Sequence, residues 1–214
     1  MTSETRERRS THQTVALEAR EEGKQPIIQG YAALFDNETE IRGFFGSFRE
    51  SIAPGAFAPS LSGGHRVVSL FNHDANMVLG STSSGTMRLR EDDRGLWIEV
   101  DPPDTQVGRD VVEYIRRGDV QGQSFMFEIT REEWQFSEDP KVLDKRVIQE
   151  VRLYEAGPVL FPAYPETSVG VRSTADLAYE RARRQWEERN RPEKPVVIVS
   201  PDPFLLRVRV LRAA

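Results

Sequence analysis

Arg117-Gly118-Asp119-Val120-Gln121-Gly122-Gln123-Ser124-Phe125-Met126-Phe127 is the stretch whose reading decides the fold. A helical pattern enters it and a strand leaves it. Phe125, Phe127 and Ile129 alternate with Ser124, Met126, Glu128 and Thr130, the period of two expected of a half-buried strand. With the phenylalanines on the core face, Ser124 lies on the opposite face, at the strand's start and beside a turn. The residues alone leave two readings open: a nucleophilic hydroxyl, or an ordinary serine at the head of a strand.

Upstream, Asp101-Pro102-Pro103-Asp104-Thr105 is a stop followed by a capping signal. Val107, Val111, Val112 and Ile115 then share one helical face, and Arg116, Arg117 and Gly118 supply the cations and glycine that a helix carboxyl end favours. Met87 and Leu89, the turn Glu91-Asp92-Asp93-Arg94-Gly95, and Leu96, Ile98 and Val100 make the clearest hairpin. Residues 67–71 form a buried strand that delivers His73 at its end, and residues 146–155 form a long strand with Val147, Val151 and Leu153 on one side. Val15 and Leu17 alternate with polar residues, residues 27–34 continue as a second strand, and Glu21-Glu22-Gly23-Lys24 between them reads as a hairpin turn.

Residues 36–50 read as a loop rich in glycine and phenylalanine, either a clamp for an extended peptide or a small cluster tucked beneath the loop. Residues 132–145 read as a charged loop or loose hairpin. Residues 51–61 read as a turn and short helix, and residues 158–171 as short extended pieces broken by Pro162 and Pro165. This gives an α+β, β-rich chain: a disordered tail over 1–12, a body over 13–173, and a charged helix with a basic tail over 174–214.

Composition narrows the chemistry. The 214 residues are 38% hydrophobic and 29% charged, as in a soluble globular protein. With no cysteine, disulfides, thiol nucleophiles and cysteine-bound metals are excluded. No apolar region follows the early arginines, so no signal peptide is expected. The longest aliphatic run, residues 196–199, is far below the roughly 20 residues of a membrane helix. The net charge of −5 divides unevenly: from Arg172 onward nine Arg and one Lys face six acids, giving +4 and leaving −9 on the remainder. A basic tail on an acidic body suits either a solvated helix or docking to an acidic partner.

Of three histidines, His12 falls in the tail, His65 beside Gly63-Gly64, and His73 at a strand end, as either a base or a hydrogen-bonded structural residue. Asp74 is a poor partner for His73, since neighbours on a strand point to opposite faces. The histidine spacing matches no zinc site, and neither G-x-x-x-x-G-K-[ST] nor G-x-G-x-x-G occurs. No metal, cofactor or nucleic-acid partner is expected.

Several short pieces stand in a recognisable order: Pro54-Gly55-Ala56-Phe57, Leu70-Phe71-Asn72-His73-Asp74, Leu79-Gly80-Ser81-Thr82, Gly85-Thr86-Met87, Asp93-Arg94-Gly95-Leu96, Asp104-Thr105, Ile115-Arg116-Arg117-Gly118-Asp119, Gly122-Gln123-Ser124-Phe125, Leu153-Tyr154-Glu155 and Pro162-Ala163-Tyr164. Over residues 29–173 the chain resembles the prohead (capsid-maturation) proteases of tailed bacteriophages, relatives of the herpesvirus assembly proteases. The resemblance implies a closed or partly open antiparallel β-barrel with a few flanking helices. It implies a serine endopeptidase that trims capsid or scaffold polypeptide, and finally itself, inside the prohead in the host cytoplasm, or one encoded by a prophage.

In that family the serine of G-x-S-F is the nucleophile, the histidine of N-H-D its base, and the acid of L-x-E the third member. These fall on Ser124, His73 and Glu155. The family continues with Val-Ser after the acid, whereas this chain has Ala156-Gly157-Pro158, so Glu150 and Glu128 stand as the other carboxylates for the role. Oxyanion donors are expected at the turn around Gly157 or at the Gly118–Gln123 turn. The implied partners are the major capsid protein with its scaffold segment and a second copy of this chain; no membrane partner is expected. The alternative function is an assembly protein that keeps the fold without proteolysis.

Overall fold

The structure, a computed structural model, describes residues 6–11, 15–18, 26–162, 174–191, 196–198 and 209–211. His12, Pro165 and the expected turn at Glu21-Glu22-Gly23-Lys24 lie outside the described residues. In chain order the elements are β1 (Arg6–Thr11), β2 (Val15–Glu18), β3 (Ile27–Leu34), β4 (Thr39–Gly43), β5 (Gly46–Ile52), α1 (Ala58–Ser62), β6 (Val68–Leu70), β7 (Val78–Ser81), β8 (Met87–Glu91), β9 (Gly95–Val100), α2 (Gln106–Arg117), β10 (Gly122–Gln135), β11 (Asp144–Val159), α3 (Thr174–Arg189), β12 (Val196–Ile198) and β13 (Arg209–Leu211).

Two sheets enclose one main core. The larger runs β1-β10-β11-β5-β4, with β6 and β7 joined to the far part of β11, and the smaller runs β2-β3-β9-β8. Phe125 and Phe127 face inward, with ring centroids 5.0 Å apart, and Phe57 meets Phe125 edge-on. They pack with Ile28, Leu96, Ile98, Val111 and Leu153. The predicted face of α2 is the buried one; Thr105 caps its start by accepting from Gly108 N–H, and Gly118 ends it at φ +81°, where a side chain would be strained.

Three expectations need correction. The fold is not a closed antiparallel barrel: β11 pairs in parallel with β5 over Asp144–Ile148 and with β6 at Glu155. Between these pairings the α1 region serves β11 instead, with Ser60 Oγ donating to Val151 O and accepting from Leu153 N–H. Residues 36–50 are not one loop but the hairpin β4–β5; residues 132–145, by contrast, form the expected hairpin, with the turn between β10 and β11 flanked by the strand ends of a ladder that runs from Gly122↔Val159 to Gln135↔Lys145. Third, Arg6–Thr11, expected to be disordered for want of an apolar period, forms β1 against β10. Backbone pairing and charge hold it there, not hydrophobic alternation.

The helix α3 is docked rather than freely solvated. Tyr179 stacks on buried Phe48 at 5.2 Å and donates to Asp144 Oδ2, and Arg183 reaches the same carboxylate. Burial and the Asp144 bond push the Tyr179 hydroxyl up to about 12. Phe48, Ile41 and Ala175 form this second, smaller cluster, so of the two readings for the phenylalanine-rich segment the tucked one fits Phe48. Phe44 stays exposed. No described helix is long and apolar enough to cross a membrane.

Candidate active site

Ser124, Met126, Glu155 and Gly157 share one face of the β10–β11 ladder. Ser124 stands opposite Gly157 and Met126 opposite Glu155, with no register shift between the two pairs. Diagonal neighbours of this kind lie roughly 7–8 Å apart, so a third group must bridge serine to carboxylate. His73 reaches the carboxylate end: its Nδ1 lies 2.8 Å from Glu155 Oε1. A carboxylate only accepts, so Nδ1 is the donor in this contact, the arrangement that in a neutral imidazole leaves the lone pair on Nε2. The Glu155 side chain is 4% exposed and that of His73 15%.

The backbone explains how His73 gets there. After β6 the chain turns through Asn72 and His73 at φ +54° and +61°, a left-handed pair that costs about 1–3 kcal/mol per residue in non-glycine positions. The turn is pinned on β11: Asn72 N–H donates to Pro158 O at 3.1 Å, and Leu160 N–H donates to Asn72 Oδ1 at 2.8 Å. This bend breaks the strand-like alternation, yet Asp74 still turns away and accepts from Asn76 N–H and Nδ2.

Gly157 makes the approach possible. A Cβ there would stand 2.3 Å from Leu70 O and 2.9 Å from Ser69 Oγ. The Ala156-Gly157-Pro158 departure from the family pattern therefore accompanies close packing of β6 on β11, and Glu155 retains its aim at His73. Replacing Gly157 by alanine is expected to cost about 3 kcal/mol by overpacking and to pull His73 off Glu155. A thermal melt checks this, and a loss below about 0.5 kcal/mol would rule out the close approach as the reason for glycine.

The remaining expected groups separate clearly. Glu128 accepts from Tyr154 OH, and Glu150 from Thr130 Oγ1, so neither holds His73. His65 Nε2 is engaged with Leu153 O. In the Gly118–Gln123 turn the amides of Gly118, Asp119 and Val120 close the end of α2 on Ile115 and Tyr114, and so do not point at a developing oxyanion. Among the described residues no cluster of His, Asp and Glu could hold a metal.

Ser124 does not donate to His73. Its Oγ, on a residue 1% exposed, donates to the carbonyl oxygen of Arg9 at 3.0 Å. Around Arg9 lies a group the sequence reading missed. Arg9 contacts Glu50 at 2.8 Å and Glu7 at 2.6 Å, while Arg146, 2% exposed, contacts Glu50 at 3.0 Å, Glu7 at 3.2 Å and Glu132 at 2.5 Å. Burial opposes the charge on both guanidiniums, but the surrounding carboxylates outweigh it and raise their pKa values. These five residues come from four strands, so only the alternation of charges along β1 could have hinted at them.

A family model described as Caudovirus prohead serine protease matches residues 13–181. Over 158 residues the chain is 28% identical to the prohead protease of Enterobacteria phage HK97. That match covers 72% of this chain and 64% of the relative, so the chain spans less than two thirds of that protein's length. Among solved structures, the capsid assembly protease of bacteriophage T4 aligns with a TM-score of 0.47 and 9% identity, over 74% of this chain and 98% of that one.

Proposed function

Because this chain belongs to the caudovirus prohead serine protease family, we propose that it is a serine endopeptidase that cuts capsid and scaffold polypeptide, and itself, within the immature head. The observation that carries this reading is the His73–Glu155 hydrogen bond at 2.8 Å, set on the sheet face that also bears Ser124. The open, β-rich architecture is compatible with kinship to the herpesvirus assembly proteases.

In the reaction Ser124 Oγ attacks the peptide carbonyl carbon while His73 Nε2 takes its proton. Glu155 holds Nδ1–H and stabilises the imidazolium that forms. The imidazolium returns the proton to the departing amine, and water then cleaves the acyl-enzyme through the same base. Backbone N–H donors beside Ser124 would steady the oxyanion, each worth about 3 kcal/mol; the region of Gly157 lies directly across the ladder from Ser124.

Labelling by a serine-directed phosphonate tests the proposal. The intact protein should gain one adduct, on the peptide containing Ser124, and the Ser124→Ala variant none. Co-expression with the cognate capsid protein should give processed capsid only with the intact serine. Capsid processing undiminished in Ser124→Ala would overturn the assignment, and absence of both labelling and processing would favour an assembly protein that does no proteolysis.

A further inference from the structure

The strand β1 lies where a polypeptide substrate of Ser124 would have to lie. It runs antiparallel along the free edge of β10 with Ser10 opposite Ser124 and Arg9 opposite Phe125, and the Arg9 carbonyl takes the Ser124 hydroxyl at 3.0 Å. The peptide group in contact with the candidate nucleophile is thus the one joining Arg9 to Ser10. Side chains facing each other across a ladder share a face, so Arg9 projects beside Phe125 and Phe127, where its guanidinium meets Glu50 and lies 5.7 Å from the Phe127 ring centroid. β1 also precedes the region matched by the family model, which begins at residue 13.

We infer that β1 occupies the substrate groove, that substrates bind there as an extended strand with a basic residue before the scissile bond, and that Glu50 selects this residue. Arg9–Ser10 is accordingly a bond that the enzyme cuts in its own chain. The inference rests on the endopeptidase reading and adds the substrate class. Extended peptides pairing with a sheet edge take affinity from the main chain and specificity from alternate side chains. Here the alternate positions are Arg9 and Glu7, which face Glu50 and Arg146. Once residues 1–9 depart, Glu50 and Glu132 remain against Arg146 with one unbalanced negative charge, which suits another cation and penalises an acid.

The bond-making balances as hydrolysis. Ser124 Oγ turns from the Arg9 carbonyl oxygen toward His73, gives up its proton and bonds to the Arg9 carbonyl carbon. The C–N bond to Ser10 breaks with that proton delivered to the Ser10 nitrogen. Water then splits the Arg9 ester, leaving an Arg9 carboxylate and free Ser124.

Two measurements on the full chain test this. Intact-mass analysis during incubation should reveal a chain beginning at Ser10, retained in Arg9→Lys and lost in Arg9→Glu and Ser124→Ala. In parallel, quenched fluorescent peptides carrying residues 6–11, with Arg9→Lys, Arg9→Ala and Arg9→Glu copies, should be cut at least tenfold faster when the position is basic, and Glu50→Gln should shrink that preference. Circular dichroism of Glu50→Gln verifies folding, and the peptide series in the unmodified enzyme stands without that variant. Cleavage of the Arg, Ala and Glu peptides at equal rates, or own-chain cutting only elsewhere, overturns this inference and leaves the endopeptidase intact. No cleavage of any peptide together with no phosphonate labelling overturns both.

Discussion

Replacing His73 by alanine should lower kcat/KM for a quenched peptide on the order of 10⁴- to 10⁶-fold, and combining it with Ser124→Ala should add almost nothing. Without the imidazole the hydroxyl keeps its proton at neutral pH, so the second substitution removes a group already idle. Glu155→Ala should fall short of this, on the order of 10⁴-fold, because Ser124 and His73 remain but the ring is no longer fixed with Nε2 toward the serine. The 2.8 Å contact is where that orientation is enforced. A loss of less than tenfold for His73→Ala would take the residue out of the base role.

The second large effect concerns stability. Arg146→Leu should destabilise the fold by about 3–5 kcal/mol, the usual cost of stranding buried charges, because Glu7 and Glu50 then face each other with only Arg9 between them. Chemical denaturation measures the loss, and a change below about 1 kcal/mol would mean that the cluster is effectively solvated. The effect should also depend on pH. Burial pushes the Glu50 carboxyl up, but Arg9 and then Arg146 outweigh it and hold its pKa below the ordinary value of 4.5. A group depressed in the folded state contributes stability that is present above its unfolded pKa and lost as the pH falls through the folded one. The gap between wild type and Arg146→Leu should therefore be full at neutral pH and shrink in acid below about 4.5, as Glu50 becomes protonated.

These two effects also mark which features the sequence made legible. The alternation Phe125, Phe127, Ile129 placed Ser124 on the face away from the core, and there it lies. The Thr105 cap and Gly118 terminus bounded α2, because cap chemistry is local and survives tertiary packing. The His73–Glu155 contact was reachable only through the family resemblance; nothing along the chain announces two successive left-handed residues at Asn72 and His73, since each is tolerated only because β11 pins the turn. β1 escaped for a different reason. Its alternate residues Glu7 and Arg9 are charged, so a hydropathy period misses them, and their partners Glu50, Glu132 and Arg146 lie on three distant strands. The parallel pairings of β11 escaped likewise, being set by where α1 and β6 return to it rather than by any local pattern.

That placement of β11 also governs when the site can exist. Glu155 and His73 are separated by 82 residues of chain and Ser124 and Arg9 by 115, and contacts of such range close late in folding because the loop entropy must be overcome first. During synthesis the candidate site is incomplete until β11 has cleared the ribosome. On the endopeptidase reading, a nascent chain carries Ser124 and His73 from residue 124 to residue 155 without the carboxylate that holds the imidazole, and the order of strands itself would delay activity until β11 is in place.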